Sequence, residues 1–257
     1  MPINLREHKK WIMKQDMNAY TSEDFLVWKT LFDRQVENLQ DKGSRHYLEA
    51  LKQMKSVLNR QLIPDFRAIN GFFEESTGWS IEVVPGLIPV EQFFELLAEK
   101  KFCSSTWLRT MKQLDYLEEP DMFHDVFGHI PLLSNPVFSA FAHEFGKIGK
   151  SLIGNEQALI QLQRLYWFTI EFGVIREEGI IKSYGAGIMS SFGETNRIFN
   201  KNCEFLEFDI EMVLNKEFWT DKLQEEYVVI DSLEQLFESL QKAVQVISKP
   251  KGLVSLK

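Results

Sequence analysis

The sequence predicts a mainly α domain with a few short β-strands. Apolar residues recur at helical spacing through most windows, strict alternation is confined to short runs, and no repeat, low-complexity tract or long Gly/Ser/Pro linker divides the chain. Thr21 with Asp24 reads as a helix start, followed by Phe25, Trp28, Phe32, Val36 and Leu39 at helical intervals. Leu48, Leu51, Lys55 and Leu58 mark a second, weaker helix, and Pro64-Asp65 opens a third with Phe66, Ile69 and Phe73 facing inward. Trp79, Ile81 and Val83 alternate, so a short strand ends at Pro85-Gly86. Helices follow at about 90–100, 121–127, 136–150 and 156–172. The Arg176-Glu-Glu-Gly179 turn lies between two β-rich runs and predicts a hairpin, with a further helix over about 187–199. Glu226-Tyr-Val-Val-Ile230 reads as a strand, and Ser232 with Gln235 forms a capping box for a last helix bearing Leu233, Leu236, Phe237, Leu240 and Val244.

Composition excludes several function classes. A hydrophobic fraction of 44 % supplies a large core, and 21 Phe with 6 Trp are enough aromatics to line a pocket as well. The net charge of −8 argues against nucleic acid, whose phosphates need a basic face. Cys103 and Cys203 make no disulfide framework and suit a reducing cytosol. Met1–His8 lacks an apolar stretch of signal-peptide length, and no apolar run is long enough to cross a membrane. The expected setting is the cytoplasm.

The run Pro120-Asp-Met-Phe-His-Asp-Val-Phe-Gly-His-Ile-Pro131 holds two of the five histidines. Neutral imidazoles close together commonly hold a transition metal. On a regular helix, residues five apart point about 140° apart and cannot share an ion. Gly128 and Pro131 therefore predict that His124 sits on a helix and His129 on the loop after it, turned back to the same point. The competing reading is two hydrogen-bonded structural histidines. A third ligand is expected in Glu171, which the apolar stretch Arg164-Leu-Tyr-Trp-Phe-Thr-Ile-Glu-Phe-Gly173 would bury. Its alternative is a buried ion pair with Arg164 or Arg176. Two His and one carboxylate on one face of an ion is the arrangement of non-haem Fe(II) oxygenases.

Four blocks make the chain resemble the pterin-dependent aromatic amino acid hydroxylases, and among them the short bacterial members. They are Val84-Pro-Gly-Leu-Ile88, Glu119-Pro-Asp-Met-Phe-His-Asp-Val-Phe-Gly-His-Ile-Pro-Leu132, Tyr166-Trp-Phe-Thr-Ile-Glu-Phe-Gly173 and Ser183-Tyr-Gly-Ala-Gly-Ile-Met-Ser-Ser-Phe-Gly-Glu194. The similarity runs from about Asp16 to about Leu240. It implies the catalytic-domain fold of that family over residues 1–257, without a regulatory domain or a tetramerisation helix, as a monomer or weak dimer. It implies hydroxylation of L-phenylalanine to L-tyrosine with Fe(II), a tetrahydropterin (tetrahydrobiopterin or a relative) and O₂. Another aromatic amino acid such as tryptophan, altered regiochemistry, or a catalytically silent pterin-binding or amino-acid-binding protein are the alternatives. The intact triad argues against the last.

The resemblance also implies roles. His124, His129 and Glu171 ligate iron. Arg109 holds the substrate's α-carboxylate, a task suited to its planar fork, and Trp167, Ser190 and Pro120 complete the substrate site. Gly86, Leu87 and Ile88 offer backbone to the pterin, Phe93 stacks on it, and Asp125 and Tyr166 lie beside it. Just outside the ligands, Asp121 accepts the free imidazole N–H of His124 or serves the helix dipole, and Glu194 stands nearby with Ser190. Without the resemblance, Phe93 is a core helix face, Arg109 a surface charge, Asp125 a solvated helix residue and Glu194 an exposed acid. Leu117 and Cys103 replace a threonine and a histidine of the animal enzymes, so the contacts of those two positions do not carry over. His8, His46 and His143 read as structural or solvated.

Overall fold

The computed structural model describes residues 13–115, 117–199, 203–220 and 224–248. The terminal stretches Met1–His8 and Lys249–Gly252 lie outside the described residues. Helix α1 (Ser22–Leu39) starts where expected: Thr21 and Asp24 exchange hydrogen bonds, the Thr21 N–H to Oδ2 of Asp24 at 2.7 Å and the Asp24 N–H to Oγ1 of Thr21 at 3.3 Å. Its buried face differs from the expected stripe. Val27, Trp28, Leu31, Gln35, Asn38 and Leu39 point inward and Phe25 is exposed. An apolar-only stripe misses Gln35, which is buried because its amide donates to the Met189 carbonyl at 2.6 Å and to Oγ1 of Thr195 at 3.2 Å.

Helix α2 (Arg45–Gln53) ends before Leu58, which is buried in the turns beyond it. Asp65 caps α3 (Phe66–Glu74), which buries Phe66, Ile69 and Phe73 as expected. Strand β1 (Ser80–Val83), helix α4 (Val90–Ala98) and strand β2 (Lys101–Ser104) form a βαβ unit with β1 and β2 parallel. The predicted helix ran to 100. It stops at Ala98 because Lys100 adopts a positive φ of 55°, and the four-residue strand that follows is too short for period-2 alternation to stand out.

A π-helical turn (His124–His129) runs straight into α5 (Ile130–Leu133), so His129 is not on a loop. Pro131 falls in the first turn of α5, where proline is tolerated, and does not stop the helix. Helix α6 (Pro136–Ser151) packs on α4 so closely that a Cβ on Gly149 would meet the Phe94 ring at 2.0 Å. The expected helix over 156–172 is α7 (Glu156–Tyr166) followed by a second π-helical turn (Trp167–Glu171).

The hairpin is present as β3 (Val174–Glu177) and β4 (Ile180–Ser183), with Glu178 at φ 53° and Gly179 at φ 80° making the turn. The helix predicted over 187–199 is broken into α8 (Ala186–Met189) and α9 (Phe192–Phe199). Strand β5 (Glu204–Glu207), unforeseen because its side chains are mostly exposed, precedes α10 (Ile210–Asn215), β6 (Glu226–Ile230) and α11 (Leu233–Ser248). The sheet order is β4-β3-β6-β5, with β6 parallel to both neighbours. The cap of α11 is a variant of the expected box. Gln235 N–H donates to Oγ of Ser232 at 3.3 Å, but the Gln235 amide oxygen accepts from Asp231 N–H at 2.9 Å, one residue earlier than predicted.

Candidate metal centre

Two π-helical turns from distant parts of the chain face each other and carry the ligand groups. In such a turn the backbone bonds run five residues apart, so His124 and His129 return to one side. Their Nε2 atoms are 3.1 Å apart. Glu171, the last residue of the second turn, places one carboxylate oxygen 3.1 Å from Nε2 of His129 and the other 3.7 Å from Nε2 of His124. Neighbouring ligands at ~2.1 Å from one ion lie roughly 3 Å apart. The three groups therefore fit a metal bound on one face, leaving the opposite positions open. Neither alternative partner for Glu171 is used: Arg176 pairs with Glu207 and Asp231, and Arg164 donates to the Leu214 carbonyl. Gly128 is needed between the histidines, since a Cβ there would meet the Ala186 carbonyl oxygen at 2.9 Å.

The surroundings set protonation. The Ser190 hydroxyl donates to the Ala186 carbonyl at 2.7 Å, so its oxygen accepts from Nδ1 of His124 at 2.9 Å. That places the His124 proton on Nδ1 and leaves Nε2 a lone pair for the metal. Burial drives the His124 pKa down to about 4, keeping the ring neutral. Burial opposes charge on Glu171, but the adjoining His129 and His124 outweigh it and hold the carboxyl at about 2.

Asp121 does not take the role expected from its position. It accepts the backbone N–H of His124 at 3.1 Å, not the imidazole, and its two oxygens grip Nε and Nη2 of Arg109 at 2.8 Å each. Serine 190 has the imidazole instead. Arg109 is buried in this pair, and only Nη1, at 3.4 Å from the Leu114 carbonyl, is left weakly engaged. Glu194 has two polar partners. It accepts from the Tyr227 hydroxyl at 2.8 Å and reaches toward the site through Gln224, whose amide oxygen takes the Trp167 indole N–H at 3.1 Å.

Beside the three ligands opens a cavity of about 410 Å³. Gly86, Leu87, Ile88, Phe93, Pro120, Asp125, Tyr166 and Trp167, singled out in the sequence, all line it. The Phe93 ring meets Tyr166 edge-on at 5.2 Å. The Asp125 carboxylate takes the Ser105 N–H at 2.9 Å, and burial pushes its pKa up to about 7. Cys103 also lines the cavity, and burial raises its thiol pKa far above the usual range, which disfavours the thiolate. Sequence reasoning missed Phe102, whose ring lies 4.6 Å from that of His129, and Phe218, stacked on Trp167 at 4.7 Å. Neither belongs to a motif; only tertiary packing brings them in. His143, read as structural, bonds the Ala98 carbonyl at 3.1 Å.

The profile of the biopterin-dependent aromatic amino acid hydroxylases matches residues 8–254. The chain belongs to that family. Among hydroxylases of known name, it is 41 % identical over 228 residues to a phenylalanine-4-hydroxylase of Ralstonia nicotianae, covering 88 % of this chain and 72 % of that one. A tyrosine 3-monooxygenase of Caenorhabditis briggsae is more distant, at 29 % over 237 residues, 91 % of this chain and 46 % of that one. The crystal structure of Chromobacterium violaceum phenylalanine hydroxylase with bound iron(III) and oxidised 7,8-dihydrobiopterin superposes with a TM-score of 0.86 at 36 % identity, covering 97 % of this chain and 95 % of that chain. The hydroxylase catalytic-domain fold expected from the sequence is therefore the fold observed.

Proposed function

We propose that the chain is an Fe(II)- and tetrahydropterin-dependent monooxygenase that hydroxylates L-phenylalanine to L-tyrosine with O₂. The observation that carries this reading is the set His124, His129 and Glu171, arranged for one ion at the wall of an aromatic-lined cavity. The bacterial phenylalanine-4-hydroxylases, nearer in sequence than the tyrosine 3-monooxygenase, favour phenylalanine as substrate. Iron and the tetrahydropterin would supply the oxygen-activating chemistry that no side chain possesses.

The remaining work falls to the chain's own residues. His124, His129 and Glu171 would hold the metal with positions open toward the cavity. Ser190 fixes the tautomer of His124. Phe93 would stack on the pterin, with the backbone of Gly86 and Leu87, the Tyr166 ring and the Asp125 carboxyl around it. At about 7, the Asp125 pKa lets that carboxyl donate or accept a hydrogen bond near neutral pH. Trp167, held by Gln224 and stacked on Phe218, and Pro120 would flank the substrate ring and keep water from it. The group of Arg109 left for a substrate carboxylate is Nη1. Residues 1–257 are taken as one catalytic domain acting in the cytoplasm as a monomer or weak dimer. Among the described residues no helix is long and apolar enough to cross a membrane. Sedimentation velocity tests the assembly state against the chain mass of 30.1 kDa.

Incubating the protein with Fe(II), tetrahydropterin, O₂ and each aromatic amino acid, with product identification by mass and retention, tests the reaction. Tyrosine from phenylalanine is expected. A hydroxytryptophan as main product would move the substrate, and no product from any of them would overturn the reading. Phe93→Ala is expected to raise the pterin KM several-fold while iron content stays the same, since stacking is lost and ligation is not. Unchanged pterin KM together with a lowered Tm would make Phe93 a core residue only.

A further inference from the structure

Gln224 lies outside the four sequence blocks, just ahead of β6, and is buried. Its side-chain oxygen accepts the indole N–H of Trp167 at 3.1 Å, and its side-chain nitrogen donates to the Glu226 carbonyl at 2.6 Å. An indole N–H can only donate and a carbonyl can only accept, so these two partners fix which way the amide faces. The backbone of Gln224 is held as well: Nε of Arg197, on α9, donates to its carbonyl at 2.8 Å. Trp167 opens the π-helical turn that Glu171 ends, and it lines the cavity. Two aromatic rings pack against it, Phe172 with centroids 4.6 Å apart and Phe218 at 4.7 Å. Contacts between ring faces are summed dispersion, which changes little when one ring turns in its own plane. A hydrogen bond from the edge of the ring is directional and weakens steeply when bent. Of the contacts on Trp167, the bond to Gln224 is therefore the one that sets its rotation.

We propose that Gln224 is a positioning residue that sets which aromatic ring the cavity accepts: its amide oxygen locks the Trp167 indole in one rotation, and the locked indole gives the substrate pocket its wall. The inference rests on the proposed reaction and on the place of Trp167 beside the substrate ring. Three features support it. The amide is aligned in advance, because Glu226 and Arg197 hold it by bonds that do not involve Trp167. The Phe172 and Phe218 side chains offer the indole N–H no acceptor, and a buried indole N–H needs one. Gln224 leads into β6, so the wall is tied to the sheet as well as to the turn that carries Glu171. Freed from Gln224, the indole turns aside for a wider ring, which suits tryptophan over phenylalanine.

The test compares the iron-loaded wild type, Gln224→Met, Trp167→Phe and the double variant, with Tm and iron content measured alongside. Two constants are read from each: kcat/KM for phenylalanine, and the inhibition constant of tryptophan as its competitor. Methionine keeps the length of glutamine without the acceptor. Leaving a buried donor unpaired is expected to cost about tenfold in kcat/KM for phenylalanine in Gln224→Met, with tryptophan bound as well as before or better. Trp167→Phe has no N–H to lock, so adding Gln224→Met to it should change either constant by less than about twofold. Equal weakening of phenylalanine and tryptophan in Gln224→Met overturns the proposal, because a general loosening at the start of β6 lowers both. Losses that multiply in the double variant overturn it too, as does an unchanged kcat/KM for phenylalanine in Gln224→Met. Where Gln224→Met does not fold, Gln224→Asn, whose amide stops one methylene short of the indole, is read by the same criteria. A wild type that turns over no amino acid removes the proposed reaction and this role with it. A wild type that hydroxylates phenylalanine, with any of the overturning results in the variants, loses only the role of Gln224.

Discussion

Glu171→Ala is expected to lose stoichiometric iron and all turnover while remaining folded. Two imidazoles at 3.1 Å from each other remain, but the group that faces both of them, at 3.1 and 3.7 Å, is gone. A two-ligand site retains metal weakly in competition with water and buffer. The fold should tolerate the change, because Glu171 ends a π-helical turn whose neighbours Phe168, Thr169 and Ile170 are buried independently of it. Thermal unfolding gives a second readout. A ligand present at a hundred times its Kd stabilises by ~2.7 kcal/mol, which for a chain of this size raises Tm by roughly 5–10 °C. That rise should appear when Fe(II) or Co(II) is added to the wild type and be absent in Glu171→Ala. The low pKa values of His124 and Glu171, about 4 and about 2, keep both groups in their metal-binding forms throughout the neutral range. Wild-type iron content in the purified variant would remove Glu171 from the site.

Much of the fold was legible because it is written locally. The Thr21–Asp24 box, the Asp65 cap and the Glu178-Gly179 turn are short-range devices, and each lies where periodicity and turn chemistry put it. What was missed depends on distant partners. Gln35 is buried only because Met189 and Thr195 meet its amide, so no stripe of apolar residues could include it. Strand β5 is defined by its pairing with β6 and has little buried surface of its own. The helix read over 187–199 breaks at Ser190-Ser191, where the Ser190 hydroxyl turns to the His124 ring and the Ala186 carbonyl.

The metal ligands were legible from residue type, but their geometry was not. An α-helical period forbids His124 and His129 from sharing an ion and so predicts a loop for His129. The π-helical turn solves the same problem without leaving the helix, and nothing in a period-3.6 reading announces it. The same holds for Glu171, which an uninterrupted helix over 156–172 would have aimed differently. Asp121 illustrates a second limit. Its place one turn before His124 is compatible with an imidazole partner, a helix terminus or an arginine, and only the packed structure selects the last two.

Arg109→Ala is expected to cost far more than substrate affinity. Asp121 has no solvent exposure, and both its oxygens are held by the Arg109 guanidinium at 2.8 Å. Removing the arginine strands that carboxylate with only the backbone N–H groups of residue 109 and His124, at 3.0 and 3.1 Å. Breaking a buried pair from one side costs ~3–5 kcal/mol, which lowers Tm by roughly 6–20 °C at this chain length. Burial raises the Asp121 pKa, but the bonds from Arg109 more than offset this, so its folded value lies below the ordinary carboxylate value. The stability it contributes is then present above the unfolded pKa and lost as pH falls through the folded one. Asp121→Asn should accordingly flatten the acid limb of the unfolding curve. For catalysis, an arginine that also anchors the α-carboxylate predicts a fall in kcat/KM for phenylalanine of roughly 30-fold to several thousandfold, since losing one partner of a desolvated charge pair costs ~2–5 kcal/mol. The two roles separate in the double variant Arg109→Met with Asp121→Leu. Replacing a buried pair by apolar residues of similar volume is often neutral for stability, so Tm should return toward the wild-type value while kcat/KM stays low. Phenethylamine, which lacks the carboxylate, should be a poor substrate for the wild type and little worse for the double variant. Recovery of phenylalanine turnover together with Tm would show that Arg109 serves only to neutralise Asp121 beneath the His124 turn, and the carboxylate would need another anchor.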